Sequence, residues 1–379
     1  MRELAEVSIS ATHLQRLCQR VGGEWAGARD QDVQAFRDKR LSRDYAEPPA
    51  AAAVMLDGGR VQTRTEDAGR GVHDPGWRET KVACCLTLSS EEHARDPQPE
   101  PPEKFLDPPR VAELAAGIKS HGRPARGRTA ATESPPQRKR KRKKKRRTSP
   151  RQRVRTVVAT MADSETFGWQ VAAEVQRRGL DRAARKACVC DGQHYNWTLF
   201  EMHLLPSGFI GILDVVHLIA YLYGAAHAWK KDATEAWKQY EQWLRQAWSG
   251  EVSKVLAGLR RAAEELGEPP KGAADQDPRQ ILADARGYIT NNRLRMNYPE
   301  YRRQGLPISS APVESTIKQI NRRVKGTEKF WLEGGAEAVL QVRAAYLSQD
   351  DRATRYWARP RPYARAAGAG RLRPAAAAA

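Results

Sequence analysis

Residues 186–217 read KACVCDGQHYNWTLFEMHLLPSGFIGILDVVH. The run 186–190 is apolar and stops at Asp191-Gly192, residues 195–203 have helical spacing, and 209–213 form a second apolar run that stops at Asp214. Strand, helix and strand within about 25 residues make the compact crossover that joins two parallel strands. Each strand delivers an aspartate where it ends.

Working outward, VRTVVATM (154–161) reads as a strand, and Ser164 can cap a helix that runs to Arg178 and stops at Gly179. Upstream, residues 51–89 hold three runs of strand character, AAAVMLDG, GRVQTRT and WRETKVACCLTLS. Turns at Asp57-Gly58-Gly59 and around 69–76 fold them into an antiparallel meander. Residues 94–109 are proline-rich and extended, and 109–120 form a helix with Val111, Leu114, Ala115 and Ile118 on one face. In residues 1–45, Leu14, Leu17, Cys18 and Val21 fall at helical spacing until Gly22-Gly23 breaks the pattern, and a second short helix covers 31–41.

Downstream, 215–266 read as continuous helices with an aromatic spine of Trp229, Trp237, Tyr240, Trp243 and Trp248. These tryptophans and Trp197 read as core rather than as base-stacking groups. Residues 278–291 are a further helix, NYPEYRRQGLP is a loop, 312–325 carry Glu314 on a helix, and 334–348 form a last amphipathic helix. The order predicts an α/β fold, a central mixed sheet flanked by helices with an all-helical insertion before the last element.

The 379 residues carry a net charge of +20, and the unbroken cation run RKRKRKKKRR at 138–147 supplies half of it. Such a block repels itself and does not pack. It reads as a disordered linker that touches phosphate without reading sequence, with Arg138, Lys139, Arg140 and Lys141 as DNA-binding candidates. The Arg/Pro/Ala-rich stretch beyond Trp357 reads as a disordered tail. The five cysteines are Cys18, Cys84, Cys85, Cys188 and Cys190, and four fall in strand-like runs. That usage fits buried free thiols in a reducing compartment. Cys188-x-Cys190 has no matching second pair, which argues against a structural zinc. The N-terminus MRELAEVSIS has no apolar signal segment, and no stretch is long and apolar enough for a membrane helix. A cytoplasmic, nucleoid-associated protein with no membrane partner is expected.

Three acids carry the chemistry: Asp57 in VMLDGGR, Asp191 in ACVCDGQ and Glu314 in SSAPVESTIKQINRRVKG. Asp-Gly is a common turn dipeptide, and singly each aspartate reads best as a turn residue. Glu314 follows Pro312 in a first helical turn, where a carboxylate favours the helix dipole, and it precedes Lys318 by four residues. Alone it too reads as structural. The set reads differently. Val313, Ile317, Ile320 and Val324 make the packing stripe, which leaves Glu314, Lys318 and Lys325 together on the adjacent face with Arg322 and Arg323 nearby. A carboxylate followed by a row of cations suits a metal-and-phosphate surface, and hard divalent cations need carboxylates from separate elements. Two such ions about 3.5–4 Å apart support an in-line phosphodiester displacement. No Gly-rich phosphate loop and no Ser/His/Asp arrangement offers another chemistry. Asp214 and His217 share a helix-start face, either as an N-terminal cap with its bonded histidine or as metal ligands. Spacing leaves both Asp191 and Asp214 open as the second metal ligand.

The stretches RTVVATMADSETFG, DGQHYNW, ILDVVHLIAYLYGAA, NNRLRMNYPEYRRQGLPISSAPVES, NRRVKGTEKFW and GAEAVLQVRAAYLSQDDR resemble bacterial insertion-sequence transposases of the ISKra type. MLDGGRVQTR and KVACCLTL resemble that family's first catalytic strand and its neighbour, so the likeness spans about residues 50–352. It implies a DDE site on a ribonuclease-H-like core, with Asp57, Asp191 and Glu314 as catalytic, metal-holding acids and Asp214 and His217 in support. It further implies two Mg²⁺ ions (or Mn²⁺), cleavage of DNA at element ends with strand transfer to target DNA, and a homo-oligomer assembled on DNA. The family's substantial N-terminal region has no counterpart here. A truncated, inactive DNA-binding remnant and a nuclease on the same core are therefore the competing expectations. The implied organisation is an N-terminal helical segment (1–48), core (49–120), basic linker (121–154), core (155–214), helical insertion (215–305), last core part (306–350) and tail (351–379).

Overall fold

The run of apolar residues before Asp57 does not stop there. In the computed structural model, which describes residues 9–65, 76–119, 149–326 and 329–359, β1 spans Ala51–Thr63 and passes straight through Asp57-Gly58-Gly59. It pairs antiparallel with β2 (Gly76–Ser89), setting Asp57 opposite Val82 and Gly59 opposite Thr80. The expected meander of three strands is thus two long ones, and the turn at Asp57 is absent. The glycines serve a close approach instead. A Cβ on Gly59 would come within 2.9 Å of Thr80 Oγ1, and one on Gly58 within 3.2 Å of Tyr195 Oη.

β3 (Arg151–Thr160) lies antiparallel beyond β2, while β4 (Arg185–Cys190) and β5 (Ile210–Leu213) run parallel to β1 on its other side. The resulting five-stranded mixed sheet has the order β3-β2-β1-β4-β5. β1 is central, and its residues from Ala51 to Leu56 are all buried. The parallel β4–β5 pair and its short crossover agree with the sequence reading. The crossover helix α4 covers His194–Leu199 and continues into a wider turn to Leu204. α3 (Ser164–Arg177) is capped by Asp163, whose side chain accepts from the Thr166 amide, rather than by Ser164.

α1 is one helix, Ala11–Arg37, and it does not break at Gly22-Gly23. It packs against α11 (Glu333–Leu347). A Cβ on Gly22 would lie inside the van der Waals shell of the Ala338 backbone, so glycine there permits a close helix crossing. α11 also shields the free edge of β3. Met161 and Val157 amides donate to Glu337 and Ser348, the Ala159 carbonyl accepts from Gln341, and Arg155 exchanges backbone bonds with the Gln349 backbone and side chain. An exposed strand edge is a template for unwanted pairing, and these side chains occupy it.

The remaining helices are α2 (Pro108–Lys119), α5 (Val215–Trp229), α6 (Ala233–Trp248), α7 (Val252–Leu266), α8 (Pro278–Asn292), α9 (Tyr298–Arg303), α10 (Ala311–Val324) and α12 (Arg352–Ala358). The segment expected as a loop contains α9, started by Pro299 at a first-turn position. α5 to α8 pack on one another and form the helical insertion. Tyr240, Trp243 and Trp248 are buried there, as is Trp197 on α4, each contributing roughly 2–3 kcal/mol of apolar burial. The five cysteines are free thiols, four of them buried in strands. Among the described residues, no helix is long and apolar enough to cross a membrane. The expected disordered tail at 351–379 begins instead as a helix, α12, with Tyr356 buried. The remainder of that tail beyond residue 359 and the basic run 138–147 lie outside the described residues.

Candidate metal and phosphate site

Parallel pairing sets the site. Leu56 pairs with Cys190, and Cys190 with Leu213. The next residue along each is an aspartate, so Asp57, Asp191 and Asp214 occupy one row where the parallel ladder ends, with β1 continuing beyond it. α10 then brings Glu314 in its first turn, because its stripe of Val313, Ile317, Ile320 and Val324 is buried and the helix packs on β1 and β2.

Asp57 is partly buried, and its Oδ1 accepts from the Gly58 amide at 2.6 Å. Burial above all, then the neighbouring Asp191 charge and more weakly Glu314, push its carboxyl up to about 7 against that hydrogen bond and the His217 charge. Asp191 keeps its turn geometry, with Oδ1 accepting from the Gln193 amide (3.1 Å) and Asn196 Nδ2 (2.9 Å) and with Gly192 at φ +91°. Its backbone carbonyl accepts from Tyr288 Oη of α8 at 2.7 Å. The turn reading of Asp-Gly therefore holds at Asp191 and fails at Asp57.

Asp214 is fully buried. Its Oδ1 accepts from the Ser310 amide (3.0 Å), and its Oδ2 from the His217 amide (3.1 Å) and Nδ1 (2.6 Å). The carboxylate thus ties the start of α5 to the start of α10. Burial opposes a charged His217, but the hydrogen bond and charge of Asp214, with Asp191 and Glu314 behind them, raise the ring to about 9. With Nδ1 held, Nε2 is the ring nitrogen left for a ligand. A carboxylate that fixes a histidine in this way is a common support in metal sites. Ligand atoms of Asp214, His217 and Glu314 lie within 4.8 Å of one another. Asp57 and Asp191 are not in that group. Asp214 is better placed to support than to coordinate, since its oxygens are inaccessible and both engaged.

Among the described residues, no lysine or arginine bonds to Asp57, Asp191, Asp214 or Glu314. Glu314 has Ser310 Oγ at 3.3 Å as its side-chain partner. Elsewhere in the chain carboxylates of similar burial are neutralised by arginine, as Glu174 is by Arg177 and Arg352. Converging acids with His217 as their one cationic neighbour among the described residues suit a divalent metal, which would also offset the burial and the Asp191 charge that raise the Asp57 carboxyl.

Lys318, Arg322, Arg323 and Lys325 are exposed on and just after α10, with no acidic partner among the described residues. Arg60 and Arg343, which the motifs did not single out, join them. Burial and then Arg60 lower Lys325, and burial and then Arg323 lower Arg343. Cations crowded together unpaired match a polyanion. Arg138, Lys139, Arg140 and Lys141 lie outside the described residues. Sequence reasoning also missed Tyr195, Asn196, Tyr288 and Ser310; only the nearness of the first two to Asp191 and of Ser310 to Glu314 could have flagged them. Comparisons with protein-family models, with curated proteins and with solved structures find no match to this chain.

Proposed function

We propose that the chain is the catalytic core of a DDE transposase resembling the ISKra type, which cleaves DNA at insertion-sequence ends and transfers the freed 3′-hydroxyl to target DNA. The observation that carries this reading is the single row of Asp57, Asp191 and Asp214 where the parallel ladder ends, joined by Glu314, with no lysine or arginine among the described residues bonded to any of the four. The five-stranded mixed sheet flanked by helices is compatible with a ribonuclease-H-like core. Asp57, Asp191 and Glu314 would hold two Mg²⁺ ions, or Mn²⁺, which when bound activate the nucleophile and neutralise the leaving oxygen.

The protein's own share is placement. Gln193 and Asn196 fix the rotamer of Asp191, and Asp214 holds His217 protonated, able to donate from Nε2 to a phosphate oxygen. Lys318, Arg322, Arg323, Lys325, Arg60 and Arg343 would position the DNA backbone without reading sequence. Assembly as a homo-oligomer on DNA and association with the nucleoid belong to the same proposal.

The test is a cleavage and strand-transfer assay with Mg²⁺ and DNA carrying the sequences that flank the gene. Asp57→Ala, Asp191→Ala and Glu314→Ala should each abolish both steps. Wild-type cleavage by all three variants would overturn the assignment. Cleavage without strand transfer would mark a nuclease, and salt-sensitive binding without cleavage an inactive remnant.

A further inference from the structure

Tyr195 stands on α4, between the two residues that grip Asp191 (Gln193 and Asn196). Its Oη is shielded from solvent and has no hydrogen-bond partner among the described residues. An orphaned buried hydroxyl costs about 1–3 kcal/mol, so its retention calls for a reason. The hydroxyl lies over β1 where Gly58 follows Asp57, at 3.2 Å from the position a Cβ would take. Burial first, then the charges of Asp191, Glu79 and Asp57, hold the phenol protonated, so it acts as a donor. Glu79 already has Lys81 Nζ at 3.4 Å. Among the described residues Asp57 and Asp191 each use only Oδ1 in a hydrogen bond, which leaves one oxygen apiece for a further donor.

We propose that Tyr195 is the positioning residue for the Asp57 and Asp191 carboxylates, and that residue 58 is glycine to admit its hydroxyl. The inference rests on the metal-holding reading of these acids. When the two acids share a cation, the Tyr195 O–H donates to a carboxylate oxygen of the pair and fixes its rotamer. Without a cation the donor stays unpaired, as it is in this structure. The Asp57-Gly58 dipeptide, which makes no turn, acquires a purpose in this way.

The experiment measures Mn²⁺ binding by isothermal titration and thermal unfolding in EDTA, using the full chain. Tyr195→Phe should leave EDTA stability equal to or above wild type, because only an orphan hydroxyl is removed. It should weaken Mn²⁺ binding by about 10–100-fold, the range seen when a supporting hydrogen bond to a metal ligand is lost. Gly58→Ala, which displaces the hydroxyl and keeps the phenol, should weaken Mn²⁺ binding likewise. Equal Mn²⁺ affinity in Tyr195→Phe and wild type would overturn the proposal, and so would a loss of EDTA stability that accounts for the weaker binding. A wild-type chain that binds no Mn²⁺, or binds it independently of Asp57, removes the metal-holding reading itself and the Tyr195 role with it.

Discussion

Asp57 and Asp191 stand side by side, each one residue beyond Leu56 and Cys190, the last pair in the parallel ladder of β1 and β4. Backbone pairing, rather than any bond between the side chains, brings the two charges together. Asp57→Asn should therefore match or exceed wild-type stability in EDTA. It should also lose the melting-temperature rise that Mg²⁺ gives the wild type. That rise corresponds to about 1–3 kcal/mol at 10–100 times the dissociation constant. Differential scanning fluorimetry with and without Mg²⁺ checks both halves.

Asp214 differs from its neighbours because its oxygens are spent on the Ser310 amide and on His217. Asp214→Ala leaves the partly buried His217 ring and the buried Ser310 amide unpaired, and should lose about 2–5 kcal/mol of unfolding free energy in urea. Asp191→Ala, at a more open position, should lose less than half of that. Equal losses would mean that Asp214 is no more structural than Asp191.

Acid stability should centre on Asp350. Burial alone would raise its carboxyl, but hydrogen bonds from Arg352 and Arg177 and their charges bring it down from 3.8 to about 2. Glu174, bonded to the same two arginines, is lowered as well. A carboxyl depressed by folding stabilises above its unfolded pKa, and that contribution fades as pH falls through the folded value. The unfolding free energy in urea should therefore drop between about pH 4 and pH 2, by on the order of 2 kcal/mol for Asp350. Asp350→Asn should be less stable at pH 7 and show a flatter acid limb.

The two glycines of α1 should respond oppositely. Gly22→Ala drives a methyl into the Ala338 backbone and should destabilise despite the better helix propensity of alanine. Gly23→Ala meets nothing within 4 Å and should stabilise by about 0.5–1 kcal/mol. Thermal unfolding of the two single variants separates these effects.

If the exposed cations of α10 meet phosphates, replacing Lys318, Arg322 and Arg323 together by alanine should lower the slope of log K against log salt. The decrease should approach about 0.9 per lost contact on duplex DNA. Fluorescence anisotropy across a salt series reads it directly, and an unchanged slope would place the DNA elsewhere.

Local patterns made much of the architecture legible. The β4–α4–β5 crossover, the packing stripe of α10 and the helical insertion follow from alternation or from 3.6-residue periodicity, and both are written within a few residues. The same patterns failed where two outcomes share one local chemistry. Asp-Gly is a turn at Asp191, where Gln193 and Asn196 close it, and continuous strand at Asp57, where β2 pairs across it. Gly22-Gly23 looks like a helix break and is a helix crossing, because the decisive partner is Ala338.

The sequence by itself determined which acids end or interrupt apolar strands, which helix carries Glu314 and where the cations concentrate, since each is a property of neighbours along the chain. Only the tertiary structure decided which of the acids keep an oxygen open to a further partner. Register set Asp57, Asp191 and Asp214 in one row. The Ser310 amide, 96 residues away, then engaged Asp214 and held it in the interior. A carboxylate's availability depends on the donors around it, and those come from segments that no local pattern links.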